Sequence, residues 1–386
     1  MNNKSIHFFL ALQATFILSS CASLDGLRFW ETDEIDPDEP RELFTIENQK
    51  DISIIWEVAF SGENEIGNFE PGFSSQNLFF ADSEGNVSSL DINSGENNWS
   101  TELNFLASGT AAGFGIIVVA DIDGNVIALD QKDGSDLWSS NVKGEVLSKS
   151  VVDTKIVIVK TGSGELIGLN KETGVIEWSY RSKLPALTVR GSSSPVISDD
   201  KLYASFDNGR LAVFEISSGF PLWDGAISYV SGSSELENLI DADSSPVIEG
   251  GLIYTINYQG NLNIFDIAQR RSVWSYETSS FYSPVVTRGM LIVVEADSVI
   301  KSFSLKSLQE SWINEDYTNR GLSNAVSFKG SLVAGDAEGY IHIIDPLNGK
   351  TIGRKKLSRK PIKSIFSRSN SLYVIDEAFN LFSLNI

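Results

Sequence analysis

The fold is predicted from a stretch that runs Ala120-Asp121-Ile122-Asp123-Gly124-Asn125-Val126-Ile127-Ala128-Leu129-Asp130 and is followed by Gly134 and Trp138. Asp-x-x-Gly is typical of a tight hairpin, because the Asp side chain caps the turn and Gly adopts a positive φ without strain. The pattern Leu-Asp-x-x-x-Gly predicts the next hairpin, and Trp138 then falls on the following strand. The stretch therefore predicts consecutive antiparallel strands joined by tight turns.

The same spacing recurs along the chain, with Gly followed by an acid or amide at +6, Gly at +10 and Trp at +14. In the first copy, Val87 and Ser89 alternate with Ser88 and Leu90, and this period of two predicts strands. Seven copies, some of them degenerate, align on these positions: Gly85–Trp99, Gly124–Trp138, Gly164–Trp178, Gly209–Trp223, Gly260–Trp274, Ser298–Trp312 and Gly339–Gly353. An eighth copy begins at Asp376 and reaches the C-terminus before its Trp.

The number of repeats predicts the architecture. Residues 51–386 number 336, which is 42 for each of eight units, and a β-propeller blade of four strands has about this length. We therefore predict an all-β fold, an eight-bladed β-propeller of four-stranded antiparallel blades, over residues 51–386. Trp56 lies near the start of this region without a preceding hairpin. Its segment is predicted to be the last strand of the eighth blade, which closes the ring and leaves no open seam.

The repeated Trp residues are interpreted as structural. A large aromatic side chain at the same place in each blade suits packing between adjacent sheets, where it buries on the order of 150–250 Å². This interpretation covers Trp56, Trp99, Trp138, Trp178, Trp223, Trp274 and Trp312. Ser-Pro dipeptides at Pro195, Pro246 and Pro284 precede three of the repeats, and Pro is tolerated at a strand start because it lacks only a donor.

Residues 1–20 have the features of a secretory signal, with one positive charge, at Lys4, and a mostly apolar run of 13 residues. A membrane-spanning helix would need roughly 20. The signal ends at Cys21, the only cysteine, and so resembles a bacterial lipoprotein signal, in which cleavage leaves a lipid-modified Cys; an ordinary signal with a chance Cys is the alternative. Ala22 replaces the Asp that marks inner-membrane retention in enteric bacteria, which points to a lipid anchor on the periplasmic face of the outer membrane.

Residues 21–50 are predicted to be the lipidated Cys followed by an acidic tether. Residues 22–50 hold nine acids against three basic residues. Such a segment buries little surface and repels itself. As a flexible chain it would reach roughly 30 Å from the membrane.

Composition and charge exclude several functions. The 386 residues include one Cys and two His, and the formal net charge is 30 − 51 = −21. One Cys cannot form an internal disulfide, and a strongly acidic protein repels nucleic acid. His342 is the only His beyond the signal. A single His disfavours a His/Cys zinc site. A Ser-His-Asp triad would have to use His342 as its base. His342 lies on an alternating strand, so we expect it on the solvent-exposed face of a blade, and we predict no catalytic residue, metal or cofactor.

Two connectors between blades are longer than the others. The interval from the blade Trp to the next Ser-Pro is 17 residues after the third copy and 23 after the fourth, against 10 after the fifth. Such loops carry function because the sheets hold them in place. Arg190 and Asp241 each lie five residues before their Pro, so they occupy equivalent positions on adjacent blades. Exposed aliphatic residues flanked by charges favour a protein-binding patch; an Arg–Asp pair within a solvated loop is the alternative.

The blade pattern Ala-Asp-x-x-Gly-x-Val-x-Ala-Leu-Asp-x-x-x-Gly-x-x-x-Trp resembles the repeat of the pyrroloquinoline-quinone (PQQ) propellers over essentially the whole chain after the tether. Two families share this repeat: the quinoprotein dehydrogenases, and the BamB lipoproteins of the outer-membrane barrel-assembly machine, which have no known enzymatic activity. A lipoprotein signal and one propeller of this length resemble BamB, since the dehydrogenases are longer and carry an adjacent Cys pair near the quinone. The resemblance implies a non-enzymatic scaffold; a membrane-tethered PQQ-dependent oxidoreductase is the alternative.

The resemblance also implies a partner and its binding site. BamB-like proteins use the two long connectors to bind the periplasmic POTRA domains of BamA, the central barrel protein. Their Leu-x-Leu-Arg-Gly and Asp-x-Asp motifs match Leu187-Thr188-Val189-Arg190-Gly191, in which Val189 replaces a Leu, and Asp241-Ala242-Asp243. The expected partner-binding residues are therefore Leu187, Val189, Arg190, Asp241 and Asp243. Unfolded outer-membrane proteins, held along the free edges of the outer strands, are a hypothesis for a second partner.

Residues 354–368 form a basic segment, with seven basic residues and no acid. In so acidic a chain this segment makes a local positive patch, which could face lipid phosphates or an acidic partner. A solvated loop is the favoured interpretation.

Overall fold

A computed structural model describes residues 38–62, 67, 69–183, 193–227, 244–258 and 260–386. The residues from Pro40 onward belong to one structural unit. Its described residues form 32 β-strands in eight four-stranded antiparallel sheets and contain no α-helix. No helix in this part of the chain is long and apolar enough to cross a membrane. The eight sheets are the blades of a ring, which confirms the predicted eight-bladed β-propeller.

The strands of each blade run in chain order from the centre of the ring to its outside, with one exception in blade 8. Blades 1 to 4 contain β2 (Gly72–Phe73), β3 (Asn77–Ala81), β4 (Asn86–Asp91) and β5 (Asn97–Glu102); β6 (Ala111–Gly113), β7 (Ile116–Ala120), β8 (Asn125–Asp130) and β9 (Asp136–Asn141); β10 (Val151–Val152), β11 (Ile156–Lys160), β12 (Glu165–Asn170) and β13 (Ile176–Arg181); and β14 (Val196–Ser198), β15 (Lys201–Phe206), β16 (Arg210–Glu215) and β17 (Pro221–Ala226). Blades 5 to 8 contain β18 (Val247–Glu249), β19 (Leu252–Thr255), β20 (Gly260–Asp266) and β21 (Arg271–Thr278); β22 (Val285–Thr287), β23 (Met290–Val294), β24 (Ile300–Ser304) and β25 (Glu310–Asn314); β26 (Val326–Phe328), β27 (Ser331–Gly335), β28 (Tyr340–Ile344) and β29 (Thr351–Lys356); and β30 (Ile362–Arg368), β31 (Ser371–Asp376), β32 (Asn380–Asn385) and β1 (Ser53–Ala59).

The N-terminal strand β1 closes the ring. It pairs antiparallel with the C-terminal strand β32, from Ser53 opposite Asn385 to Ala59 opposite Asn380. β1 is thereby the outer strand of blade 8, and it carries Trp56 at the place of the missing eighth Trp. The predicted closure by an N-terminal strand is confirmed.

The Asp-x-x-Gly hairpins form as the sequence predicts. In blade 2, the Asp121 carboxylate accepts hydrogen bonds from the backbone N–H and the side-chain amide of Asn125, at 2.8 and 2.7 Å. Gly124 has a φ of 81°, where a residue with a Cβ would be strained. Asp376 caps the equivalent hairpin of blade 8 with the same bonds to Asn380. The Asp and Gly of the repeat are therefore turn residues.

The core lies between the faces of adjacent blades. All five residues of β7 are buried, whereas the outer strand β9 of the same blade is largely exposed. One apolar cluster joins Val118 and Val126 of blade 2 to Val157 and Ile167 of blade 3. Because every blade has a neighbour on each side, both faces of its middle strands are buried.

The blade Trp residues join neighbouring blades. The Nε1 of Trp138, on β9, donates a hydrogen bond to the carbonyl oxygen of Lys171 in blade 3 at 2.7 Å. A Cβ atom on Gly174, in the same hairpin of blade 3, would lie 2.5 Å from the Trp138 ring, so only Gly fits there. The indoles that donate equivalent bonds to the next blade are Trp56 to Ile92, Trp99 to Gln131, Trp178 to Ile216 and Trp312 to Pro346. The Gly at +10 and the Trp of the preceding copy are thus two halves of one contact between blades.

Blade 7 has no such Trp, and the N-terminal segment takes its place. Gly353 occupies the Trp position, and a Cβ atom on it would lie 2.5 Å from the carbonyl oxygen of Lys50. The backbone N–H groups of Gln49 and Lys50 both donate to the carbonyl oxygen of Ile352 on β29, at 2.8 and 3.1 Å. We call residues 40–52 the strap. The structural unit thus begins at Pro40 rather than Asp51, and the last part of the predicted tether packs on the propeller.

Candidate functional site

The residues predicted to bind a partner, Leu187, Val189, Arg190, Asp241 and Asp243, lie outside the described residues, as does Cys21. Their roles therefore remain predictions. The structure does describe the strands and connector ends that flank the two long connectors. These flanking residues define which face of the propeller the connectors leave and re-enter.

The two long connectors end side by side. The first leaves β13 of blade 3 and enters β14 of blade 4, and the second leaves β17 of blade 4 and enters β18 of blade 5. At their C-terminal ends, the backbone N–H of Ser194 donates to the Oγ of Ser245 at 2.9 Å. Asn208, in the hairpin between β15 and β16, donates to the carbonyl oxygen of Lys183 at 2.9 Å, which fixes the start of the first connector. We call this side of the ring, formed by blade-to-blade connectors and second-to-third-strand hairpins, the connector face.

His342 is buried, so its predicted place on a solvent-exposed face was wrong. Its side chain is 0% exposed, with Nε2 3.0 Å from Asp336 Oδ2, and Nδ1 accepts a hydrogen bond from Arg354 Nε at 3.2 Å. Burial lowers the pKa of His342 below its ordinary value, and the bond to Asp336 opposes this only in part. The ring is thus neutral with the proton on Nε2. Because both ring nitrogens are hydrogen-bonded, His342 is no catalytic base. The alternation of polar and apolar residues along β28 therefore occurs in a strand whose two faces are both buried.

The His342 cluster fastens the strap to blade 7. Arg320 donates to Asp336 through Nε at 3.0 Å and through Nη1 to the carbonyl oxygen of Arg41 at 2.8 Å. Arg354 donates to the carbonyl oxygen of Phe44 at 2.7 Å and lies 5.2 Å from the centroid of that ring. Burial opposes ionisation of Asp336, but hydrogen bonds from His342 and Arg320 keep its pKa below the ordinary value. The cluster is therefore a structural one.

The basic segment 354–368 is not a solvated loop, and that interpretation was wrong. Its residues lie largely on the outer strand β29 and the inner strand β30. The Lys355 ammonium donates to the carbonyl oxygen of Ile52 in the strap at 2.8 Å, and Lys356 donates to the carbonyl oxygen of Glu338. Arg368 lies over the ring of Phe73 in blade 1. Several of these cations thus bind the propeller itself.

Two features expected of a quinone site with its calcium ion are missing, a cluster of metal-ligating side chains among the described residues and an adjacent Cys pair in the sequence. No group of three or more His, Cys, Asp or Glu side chains that could hold a metal ion occurs among the described residues. The adjacent Cys pair of the quinone enzymes has no counterpart, because Cys21 is the only cysteine of the chain. No chemistry through a quinone is therefore assigned to this propeller.

A closed ring of eight four-stranded blades, held by Asp-x-x-Gly hairpins and by Trp–Gly contacts between blades, defines the class of PQQ-like propellers. A family model described as "Outer membrane protein assembly factor BamB" matches residues 83–314 and 279–382. The chain belongs to this family, and we regard it as non-enzymatic, like the assembly factors for which the family is named.

Individual relatives agree with this assignment. Outer membrane protein assembly factor BamB of Yersinia pestis is 30% identical over 354 residues, which cover 88% of this chain and 90% of that protein. The crystal structure of BamB from Moraxella catarrhalis has a TM-score of 0.80 at 22% identity, covering 87% of this chain and 100% of that one. Quinohemoprotein alcohol dehydrogenase from Comamonas testosteroni is similar in fold at a TM-score of 0.68 and 10% identity, over 88% of this chain and 77% of that one.

Proposed function

We propose that the protein is a lipid-anchored scaffold on the periplasmic face of the outer membrane, where it binds the POTRA domains of BamA and assists the insertion of outer-membrane proteins. The proposal is carried by family membership, since the matching region spans most of the propeller and the relatives are named outer membrane protein assembly factors. The anchor would be Cys21, at the end of the signal. A Cys21→Ser variant is expected to leave the membrane fraction, and its retention there would contradict the anchor.

The binding site would be the pair of long connectors on the connector face. Leu187, Val189 and Arg190 of the first and Asp241 and Asp243 of the second are the proposed contacts. The Ser194–Ser245 hydrogen bond supports this pairing, because it holds the ends of the two connectors next to each other. A rigid ring below two adjacent loops can present apolar and charged groups as one surface.

The experiment is the affinity of residues 22–386 for the isolated POTRA domains of the cognate barrel protein. An Arg190→Glu variant is expected to bind at least tenfold more weakly, a loss of about 1.4 kcal/mol. Arg288→Glu is the matched control, because Arg288 lies on the hairpin between β22 and β23, on the opposite side of the ring. Absence of binding by the unmodified protein, or equal weakening by both variants, would count against the connector site.

A second partner is suggested by the outer strands. The outer strand of each blade pairs with a single strand of its sheet, so, except for β29, its outer edge is available for an extended chain. The strap provides an example, since it donates two backbone hydrogen bonds to the outer edge of β29. Exposed aliphatic residues flank the Trp on other outer strands, including Leu137, Leu222 and Val273. An unfolded outer-membrane protein could pair with these edges by strand addition.

Photo-crosslinkers placed at exposed positions of β9, β17 and β21 would test this second role. Crosslinks to unfolded outer-membrane proteins should form there and be weaker at β29, whose edge is bonded to the strap. If all outer strands crosslink equally or none does, strand addition is not the mode of client binding.

A further inference from the structure

A cavity of about 370 Å³ opens on the connector face, and its described lining includes Ser244 and Ser245 at the C-terminal end of the second long connector. Its walls come from blade 8 and the entry to blade 1 on one side and from the entries to blades 5, 6 and 7 on the other. Five aromatic rings line it: Phe69, Phe281, Tyr282, Phe366 and Phe379. Seven polar or charged residues line it as well: Glu70, Ser244, Ser245, Ser283, Asn324, Lys363 and Ser364. A concavity of this size that combines aromatic rings with polar groups has the character of a small-ligand site.

One cation, Lys363, is turned into this cavity by an irregularity of blade 8. The pairing of β30 with β31 shifts register between Ile362 and Ser364, so Lys363 is the extra residue of a β-bulge. The inner strands of the other seven blades pair with their second strands in regular register. A bulge redirects the side chain of its extra residue, and bulges are common next to functional sites.

The charge of Lys363 is poorly compensated where it lies. Its ammonium sits 5.8 Å from the centroid of the Phe379 ring, and among the described residues it forms no ion pair. Burial lowers the pKa of Lys363 to about 8, opposed by the exposed Glu377. Glu70, an acid among the residues that line the cavity, is paired with Lys149 at 3.1 Å. A half-buried cation among aromatic rings favours an incoming anion.

The mouth of the cavity offers a flat aromatic surface. Phe281 is 40% exposed and stacks on Tyr258, with ring centroids 4.4 Å apart and an angle of 14° between the planes. A ligand ring laid on Phe281 would remove apolar surface from water. The exposed ring of Phe281 and the ammonium group of Lys363 together favour a ligand that has both an aromatic group and a negative charge.

We propose that this cavity is a binding site for an aromatic carboxylate, whose ring packs against the aromatic walls including Phe281 and whose carboxylate pairs with Lys363. Such a group exists as a small free acid and as an acidic side chain next to an aromatic one in a peptide. Both sources present the same chemistry to the site.

The test is calorimetric titration of the full-length protein in zwitterionic detergent with 1-naphthylacetate and with its neutral analogue 1-naphthylacetamide. The acid should bind at least tenfold more tightly than the amide at pH 7. Lys363→Met should abolish this difference, and Phe281→Ala should weaken both compounds by a similar factor. Lys132→Met, an exposed Lys on the hairpin between β8 and β9 on the opposite side of the ring, should change neither.

A pH series adds an independent readout. Raising the pH from 7 to 9 should weaken binding of the acid to the unmodified protein, because Lys363 loses its proton, and should not affect the Lys363→Met variant. Equal affinity for acid and amide, or an unchanged acid affinity in Lys363→Met with its thermal stability retained, would overturn the proposal. These outcomes leave the Arg190 experiment unaffected, since it uses a different ligand and different residues.

A second ligand pair distinguishes the two sources. The acetylated and amidated dipeptides Glu-Phe and Gln-Phe repeat the acid–amide comparison within a peptide. Binding of Glu-Phe with the same dependence on Lys363 would assign the site to acidic aromatic segments of proteins. Binding of naphthylacetate without Glu-Phe would assign it to small free acids.

Discussion

Two junctions between neighbouring blades solve the same packing problem in different ways. Between blades 2 and 3, Trp138 fills the groove, bonds to Lys171 and leaves room only for Gly174. Between blades 7 and 8, the next blade has no third-to-fourth-strand hairpin for a Trp to meet, because its outer strand β1 comes from the N-terminus. There Gly353 admits the strap instead. A repeated contact is thus replaced at the seam by a segment distant in sequence.

The stability of the two junctions depends on different interactions. The first relies on burial of one indole and one hydrogen bond between residues 33 positions apart. The second relies on backbone bonds to β29 and on the buried cluster of Asp336, His342, Arg320 and Arg354, which reaches residues about 280–310 positions away. A junction built on a buried ionic cluster is sensitive to pH, whereas one built on an apolar ring is not.

The largest effect is expected for Trp138→Ala, which should lower the free energy of unfolding by about 3–5 kcal/mol. The loss combines the burial of the ring with the hydrogen bond to Lys171. Denaturant unfolding of the purified propeller measures it. Trp223→Ala is the matched control, because the position facing it in the repeat is Arg270 rather than Gly, and its loss should be smaller. Equal losses would mean that the Trp–Gly contact adds nothing beyond burial.

A smaller effect is expected for Gly353→Ala at the seam, about 1–3 kcal/mol as an overpacked site. The new Cβ atom would press on the carbonyl oxygen of Lys50 and should loosen the strap, which limited proteolysis within residues 40–52 would detect. Gly113→Ala serves as the control, because the nearest atom to a Cβ there is 3.5 Å away. Similar protease resistance in both variants would show that the strap does not depend on the close approach at Gly353.

The smallest effect is a pH dependence that comes from the seam. The pKa of His342 in the folded protein lies below its ordinary value of 6.5, so the unfolded chain binds a proton first as the pH falls. The free energy of unfolding should therefore decrease on acidification from about pH 6.5, by at most about 1.4 kcal/mol per pH unit. The free energy of unfolding stops decreasing through this group once the pH is below the pKa of His342 in the folded protein. His342→Gln should flatten the profile between pH 6.5 and 5.5, and an unchanged slope would assign the dependence to other groups.

The elements that the sequence predicted correctly are those set by neighbouring residues. The Asp121–Asn125 hairpin needs only five consecutive residues, and its repetition identified the blades. The segment of Trp56 was predicted to close the ring for two reasons. The eighth copy of the repeat ends before its Trp, and Trp56 has no hairpin of the repeat before it. Both inferences rest on local chemistry that is copied along the chain.

The predictions that failed concern residues whose surroundings come from distant segments. His342 alternates with apolar neighbours like a half-exposed strand, yet a second blade covers its other face. The basic residues around Arg354 resemble a solvated loop in sequence, yet Lys355 and Arg354 bind the strap some 300 positions earlier. The sequence did not predict the direction of the Lys363 side chain. That direction depends on a β-bulge, and a β-bulge is defined by how β30 pairs with its partner strand β31.

The sequence by itself determined the repeat and the number of blades, because turn formation and the periodicity of two depend on residues within a few positions of one another. The closing strand followed from counting repeats, since the eighth copy lacks its Trp and Trp56 has no preceding hairpin. Only the tertiary structure decided which glycines face a Trp, what replaces the Trp at Gly353, why His342 is neutral and buried, and where Lys363 points. Each of these depends on which blade lies beside which, and ring closure places residues from opposite ends of the chain within hydrogen-bonding distance.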